Sequence, residues 1–263
     1  MMVMDKNQSK YWLDMVVDEI QQLFPKEQLN IASGHSPSGN YHVGLLREFT
    51  IASAVTSRLQ AEGRDANHLD FVDDFDVLRK IPEGIDGMQQ QLGKPLYLAK
   101  DPEGKPDGNY AKRYLTDLYA AVEQLDIHPK TYLAHQQYQQ GKFTKAIELC
   151  LAKMEEIKSI ITEVSGRTLP PDWAPVQILD DEGYLNRCKY TGWDQSSQQV
   201  HYQDMTGGEG QVSYTDGRVK LDWRLDWPAR WWLYDVKVEP FGRDHASKGG
   251  SYDTGKELVQ YIF

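Results

Sequence analysis

The sequence predicts an α/β protein built on a parallel sheet and interrupted by a small β-rich insertion. Three observations carry this. Short apolar runs alternate with helical patterns from residue 29 onward, the runs end in Gly-, Ser- or Asp-rich turns, and the alternation gives way over 168–220 to Pro, Gly, Asp, Gln and Tyr before it resumes. Strands alternating with helices are the mark of βαβ units, whose crossovers make the sheet parallel.

Taken in order, a helix is expected from Ser9 to Phe24, with Trp12, Val16, Ile20, Leu23 and Phe24 on one face and Ser9 as cap. Leu29 to Ser33 reads as a strand entering the turn Ser33 to Gly39. A helix carrying Leu46, Phe49, Val55 and Leu59 follows and stops at Gly63. A second strand, His68 to Asp73, leads into a Gly/Pro-rich stretch reaching Asn109. Next come a helix with Tyr114, Leu118, Val122 and Leu125 and a brief strand, Thr131 to His135. Phe143 to Val164 repeats apolar residues at Ile147, Leu151, Met154, Ile157, Ile161 and Val164, which predicts one long amphipathic helix ending at Gly166. Within 168–220, Val200 to Tyr202 and Val212 to Tyr214 are short alternating runs. Leu221 to Trp232 then concentrates four of the seven tryptophans, and Tyr234 to Pro240 reads as a strand leading to Gly242. The expected organisation is a main domain over 1–167, the insertion over 168–220, and the return of the main domain over 221–263.

At 263 residues, one main domain with an insertion is the natural size, and 40% hydrophobic with 26% charged residues is the balance of a globular chain. Met1 to Lys10 is polar, and no apolar run approaches the ~18 residues of a membrane span. A cytosolic protein is therefore expected. Cys150 and Cys188, the only cysteines, suggest neither a disulfide scaffold nor a four-ligand zinc site. A net charge of −10 argues against a generic polyanion binder, though a local basic patch can still meet phosphates.

In a parallel sheet the ligand lies at the carboxyl ends of the strands, where amides and helix amino termini favour anions. Three segments should meet there: Ser33 to Glu48, Asp73 to Lys80, and Gly242 to Thr254. The first contains Gly34-His35-Ser36-Pro37-Ser38-Gly39-Asn40-Tyr41-His42-Val43-Gly44, with glycines for close backbone approach, hydroxyls, and a histidine at a helix start. That combination suits a triphosphate without being a P-loop, which ends in Gly-Lys-Ser/Thr. Residue types alone leave plainer readings open. Gly34 to Gly44 can be an ordinary turn, Asp73 to Lys80 a solvated loop pairing its aspartates with Arg79 and Lys80, and Asp244 a helix cap. The Trp223 to Trp232 cluster can be core, with Arg224 and Arg230 stacked on it.

The string Ala32 to Glu48 resembles the class I lysyl-tRNA synthetase version of the "HIGH" motif. Phe71-Val72-Asp73-Asp74-Phe75-Asp76-Val77-Leu78-Arg79-Lys80-Ile81-Pro82 resembles that family's acidic segment. Lys220 to Trp231 and Glu239-Pro240-Phe241-Gly242-Arg243-Asp244-His245-Ala246, running on to Lys256, continue the likeness in order. The resemblance implies a Rossmann-like catalytic domain of a lysine–tRNA ligase, using ATP with Mg²⁺, L-lysine and tRNA(Lys). It implies that His42 and Gly44 face the ATP phosphates, His42 donating as pyrophosphate leaves, and that Ser38, Gly242, Asp244 and His245 complete the ATP site. Gly34, Ser36, Trp223 and His245 would form the lysine pocket, a tryptophan face taking the stem and cation by cation–π contact. The ammonium needs a carboxylate, because a buried unpaired charge costs several kcal/mol. Asp73 and Asp226 are assigned to that pocket, with Asp74, Asp76 and Glu48 also available, and the residues themselves do not rank them.

The chain departs from the family pattern in places. Leu45 stands where the motif usually has histidine or asparagine, and neither Lys153-Met154 nor Ser247-Lys248-Gly249 substitutes for a KMSKS-type loop. With Phe263 last, that loop and the helical anticodon-binding region are expected to be missing. Loss of one preorganised charge stabiliser typically costs ~10²- to 10³-fold in rate, so little aminoacylation is expected of this chain alone. Cys188 is the insertion's only cysteine, so no structural zinc and no other metal site is expected. Met205 to Gly210 reads as a turn, and His128 and His135 as structural histidines. Two other functions stay open: a paralogue adenylating a different amine or amino acid, and a catalytically silent nucleotide-binding domain.

Overall fold

The structure, a computed structural model, describes residues 11–263, so the expected cap Ser9 lies outside the described residues. Helix α1 (Trp12–Leu23) is followed by β1 (Leu29–His35), α2 (Val43–Ala61), β2 (Ala66–Val72), α3 (Tyr110–Gln124) and β3 (Lys130–Leu133). A far later strand, β9 (Val236–Val238), joins them in a parallel four-stranded sheet of order β3–β2–β1–β9. The α/β prediction with a parallel sheet holds.

Parallel sheets are covered on both faces, and strand period two sorts the side chains accordingly. Leu29 and Ile31 point toward α1 and α2, where Val17, Ile20, Ala52, Val55 and Leu59 close over them. Ala32, Leu69 and Phe71 face the other way, against Tyr132, Tyr234 and Val236. The Gly/Pro-rich stretch before α3 has almost no regular structure, yet it is packed: Leu78, Met88, Leu96 and Ala99 are buried against Tyr110, Ala111 and Tyr114.

Two expectations are corrected. His135 belongs to α4 (Ala134–Gln139), not to the preceding strand, because Asp74 accepts its backbone N–H at 3.0 Å and starts the helix there. The single long helix is two, α5 (Thr144–Ala152) and α6 (Met154–Ser165), parted at Lys153 with φ −110° and ψ 30°. There the Lys153 ammonium donates to the Tyr261 carbonyl at 2.9 Å, at the end of α8 (Ser251–Tyr261), and α6 turns to lie along α8. Gly166, at φ 66°, closes α6 in the left-handed conformation that glycine adopts without a Cβ clash.

The segment after α6 forms two antiparallel sheets. One pairs β4 (Val176–Ile178) with β8 (Val219–Leu221), and the other is a meander of β5 (Cys188–Asp194), β6 (Gln199–Asp204) and β7 (Glu209–Ser213). Val200, Val212 and Tyr214 share one core with Ile147 and Leu151 of α5, with Leu258 of α8, and with Leu225 and Ala229 of α7 (Trp223–Leu233). Among the described residues no helix is long and apolar enough to cross a membrane.

Candidate functional site

Strand β1 has β2 on one side and β9 on the other, so the chain's connections leave it in opposite directions. In a doubly wound sheet the crevice beyond the carboxyl ends at such a switch point takes the ligand. Two adjoining cavities open there. The inner one, about 280 Å³, lies against α7; the outer one, about 810 Å³, lies along the loop between β1 and α2. Gly34, Glu48, Pro240, Phe241 and His245 line both.

The inner cavity is dominated by charge. Its lining carries five carboxyl groups, Glu48, Asp73, Asp76, Asp226 and Glu239, against three cations, Arg79, Lys220 and Arg230, a formal excess of two negative charges with every carboxyl ionised. Three of those carboxylates are already opposed. Arg230 lies 3.0 Å from Asp73 and 3.0 Å from Asp226, while Lys220 lies 3.1 Å from Asp76 and 3.4 Å from Asp226. Tyr138 also donates to Asp226 at 2.7 Å. Burial would raise Asp226, but Lys220 and Arg230 more than offset it and hold the carboxyl below its ordinary range. Burial pushes Asp73 up to about 7 against the pull of Arg230. Asp73 and Asp76 thus pair with distant cations rather than with Arg79 and Lys80, and the segment is no solvated loop: Asp74 and Phe75 are buried.

Glu239 and Glu48 are different. Glu239 Oε1 accepts the Trp227 indole N–H at 3.0 Å and Oε2 that of Trp231 at 2.5 Å, and among the described residues neither Glu239 nor Glu48 forms an ion pair. The two indoles sit one helical turn apart on α7, which aims both at one carboxylate and fixes its plane. Burial pushes both glutamates above the usual carboxylate range, and for Glu48 the charges of Glu239 and Asp244 add to that. Trp223 lines the same cavity, but the Arg224 guanidinium already lies 4.2 Å from its ring centroid. Arg230 stands over Phe71 at 5.5 Å rather than over a tryptophan.

The outer cavity is lined by Ser36, Ser38, His42, Gly44, Gly242 and Asp244. His42 is the N-cap of α2: its Nδ1 accepts the Gly44 N–H at 3.1 Å, which leaves Nε2 to carry the proton of the neutral ring. A Cβ at Gly44 would stand 2.8 Å from that ring. Gly44→Ala should therefore swing His42 out of place and weaken binding of an ATP analogue roughly tenfold by titration calorimetry; an affinity within twofold of wild type would remove His42 from the cleft's function. Asp244 is exposed, with Oδ2 3.9 Å from His245 Nε2, and it does not cap α8, whose N-cap is Gly250. His245 Nδ1 is 2.8 Å from Ser251 Oγ, and its ring lies 5.2 Å from that of Trp227.

Every residue assigned to the ATP site or the lysine pocket from the sequence lines one of the two cavities: Asp73, Trp223 and Asp226 the inner, Ser36, Ser38, His42, Gly44, Gly242 and Asp244 the outer, Gly34 and His245 both. Of the other carboxylates considered, Glu48 and Asp76 reach the inner cavity and Asp74 lines neither, being buried against His135. Sequence reasoning did not find Glu239, Trp227 and Phe241. Its one usable signal was the spacing of Trp227 and Trp231 on a single helix face. His128 contacts Asp126 on the surface at 2.9 Å, while His135 pairs with Asp74 and stacks on Tyr97 at 4.3 Å.

A parallel sheet with a switch point at β1 and a two-part crevice beyond it is a doubly wound, ligand-binding architecture, and the chain belongs to the class I tRNA synthetases. Within that class the matching family model is the one described as tRNA synthetases class I (K), which covers residues 10–263. The chain is 40% identical over 255 residues to a lysine–tRNA ligase of Methanosarcina barkeri, covering 96% of this chain and 47% of that protein. It is 34% identical over 258 residues to the lysine–tRNA ligase of Methanocaldococcus jannaschii, covering 96% of this chain and 48% of the relative. The Pyrococcus horikoshii lysine–tRNA ligase is 33% identical over 259 residues, with 96% and 49% covered. The chain thus spans about half the length of the curated relatives it matches.

Proposed function

We propose that the inner cavity holds L-lysine and the outer cavity ATP, and that the chain carries the site where lysine is activated to lysyl-adenylate for transfer to tRNA(Lys). The observation that carries this reading is Glu239: a carboxylate fixed by two indoles and in no ion pair among the described residues, with the Arg230 charge pulling on it but engaged by Asp73 and Asp226, in a pocket whose carboxyl groups outnumber its lysines and arginines by two. Such a group calls for a cationic ligand. Trp223, Trp227 and Phe241 offer apolar faces to a four-carbon stem, and Glu239, which lines the inner cavity but not the outer, suits the ε-ammonium. Glu48 lines both cavities and suits the α-ammonium, which leaves the lysine carboxylate directed outward. Asp73 and Asp226 then belong to the pocket wall, their charges spent on Arg230 and Lys220.

In the outer cavity, Ser38, His42 and Gly44 serve the phosphates and Gly242, Asp244 and His245 the nucleoside, with Asp244 open to accept from ribose hydroxyls. The lysine carboxylate oxygen attacks the α-phosphorus, the bond to the bridging oxygen breaks, and its electrons leave with pyrophosphate. His42 Nε2–H stabilises charge gathering on the phosphate oxygens. Among the described residues no cluster of three or more His, Cys, Asp or Glu is arranged to cage a metal. Mg²⁺ therefore fits here as an ion carried by the triphosphate, its usual mode.

The test is thermal stabilisation by a non-hydrolysable lysyl-adenylate analogue beside the arginyl, ornithyl and glutamyl analogues. Binding to the folded state adds ~2.7 kcal/mol at 100 times Kd, a rise of about 5 to 10 °C for a chain of this size. A lysine-selective rise is expected. Equal stabilisation by the glutamyl analogue, or none by any, would overturn the reading.

A further inference from the structure

Beneath the loop between β1 and α2 lies a buried carboxylate that reaches neither cavity. Asp70, on β2, is 0% exposed. Its Oδ1 accepts the Ser33 hydroxyl at 3.2 Å and is 3.3 Å from His35 Nε2, a buried ring nitrogen that makes no hydrogen bond among the described residues and has this carboxylate beside it, while its Oδ2 accepts the Tyr119 hydroxyl at 2.7 Å. Ser33 and Asp70 stand opposite each other in the parallel ladder, so strand register sets this meeting. His68, next on the same face, lies 3.0 Å from Ser33 Oγ, and burial lowers it to about 4, which keeps it neutral.

The contacts then leave the sheet. His35 Nδ1 is 2.7 Å from the Tyr41 hydroxyl, and the His35 ring packs edge-on to Tyr41 at 5.3 Å and against Phe49 of α2 at 5.5 Å. Tyr41 immediately precedes His42 and lines the outer cavity. With Nε2–H turned to Asp70, Nδ1 is the acceptor and the Tyr41 hydroxyl the donor, so the carboxylate settles both the tautomer and the tilt of the ring that holds Tyr41. At the loop's other end the Tyr110 hydroxyl donates to the Ser38 carbonyl at 3.0 Å.

We propose that Asp70 is a positioning residue: through His35 and Tyr41 it transmits the register of β1 and β2 to the loop 36–44 and so presents His42 and its neighbouring amides to the nucleotide. The ligand part of this statement rests on the proposed reading of the outer cavity; the positioning part does not.

The experiment compares Asp70→Asn, Tyr41→Phe and the double variant in the full chain. Hydrogen exchange is followed without ligand, and Kd values for an ATP analogue and for lysine are then measured by calorimetry. Exchange of the 36–44 amides should quicken about tenfold in each single variant, with no comparable change in β1 or α2. ATP-analogue affinity should fall about tenfold while lysine affinity stays within about twofold, and the double variant should be no worse than either single one, because both break one chain of contacts. Tyr41→Phe removes only a hydroxyl, so it gives the answer even where Asp70→Asn fails to fold. A network that merely satisfies buried polar groups lowers Tm but leaves 36–44 and the Kd values of the folded protein unmoved; that result, or additive effects in the double variant, overturns the proposal. If the wild-type chain binds neither ligand yet 36–44 responds as described, the positioning role stands and the nucleotide reading falls.

Discussion

Glu239→Gln is expected to weaken lysine binding by at least about thirtyfold while moving the Tm of the unliganded chain by no more than about 2 °C. The glutamine oxygen can still accept one of the two indole N–H groups that hold Glu239. What disappears is the charge that meets the ammonium, and truncating one partner of a buried charged pair costs roughly 2–5 kcal/mol of binding. Calorimetric titration with lysine checks this, and an affinity within fivefold of wild type would move the ammonium to another carboxylate. The same residue sets a pH dependence. Burial holds Glu239 and Glu48 above the usual range, and the ionised form is the one that takes a cation, so lysine affinity should fall on acidification before a free glutamate, near 4.3, would titrate. The contribution of the raised carboxyls to the unliganded fold runs the other way. A carboxyl whose folded value exceeds its unfolded value binds more protons when folded, so lowering the pH through that range, from Asp73 at about 7 downward, adds stability. His68, held by burial at about 4, acts in the opposite sense below pH 6.5, where the unfolded ring takes a proton that the folded one does not. The protection lysine gives should therefore shrink from pH 7.5 to pH 5.5.

Arg230→Met is expected to be the most destabilising single change at the site, by ~3–5 kcal/mol and about 6 to 20 °C in Tm. The guanidinium is 8% exposed and lies 3.0 Å from both Asp73 and Asp226. A methionine fills much of the same space but leaves Asp73 with no ion-pair partner among the described residues, only the more distant charge of Lys220, and Asp226 with Lys220 and the Tyr138 hydroxyl. Without Arg230 the Asp73 carboxyl rises further and is neutral over a wider range, so the deficit should be smaller at pH 5.5 than at pH 8. Differential scanning calorimetry at the two pH values measures this. A loss under 1 kcal/mol at pH 8 would mean that water, not Arg230, carries those charges.

The sequence by itself determined the alternation of strands and helices, the parallel sheet, and the three segments that close on the crevice. Those signals are local: short apolar runs at β1 and β2, helical spacing in α2 and α3, and Gly- and Ser-rich turns at strand ends. It also placed Gly34, His42, Gly44 and Gly242 at the cavities, because a residue just past the carboxyl end of a parallel strand has little freedom to be elsewhere. Tertiary structure decided what depends on long-range pairing. The break at Lys153 comes from a contact with the end of α8, more than a hundred residues away, which helical periodicity cannot report. Which carboxylate stands open was likewise invisible. Five acidic residues reach the inner cavity, and only the reach of Arg230 and Lys220 across α7 and β8 ties up Asp73, Asp76 and Asp226 in ion pairs and leaves Glu239, oriented by two indoles, in none among the described residues. A charge's availability depends on its neighbours in space, and a sequence states only its neighbours along the chain.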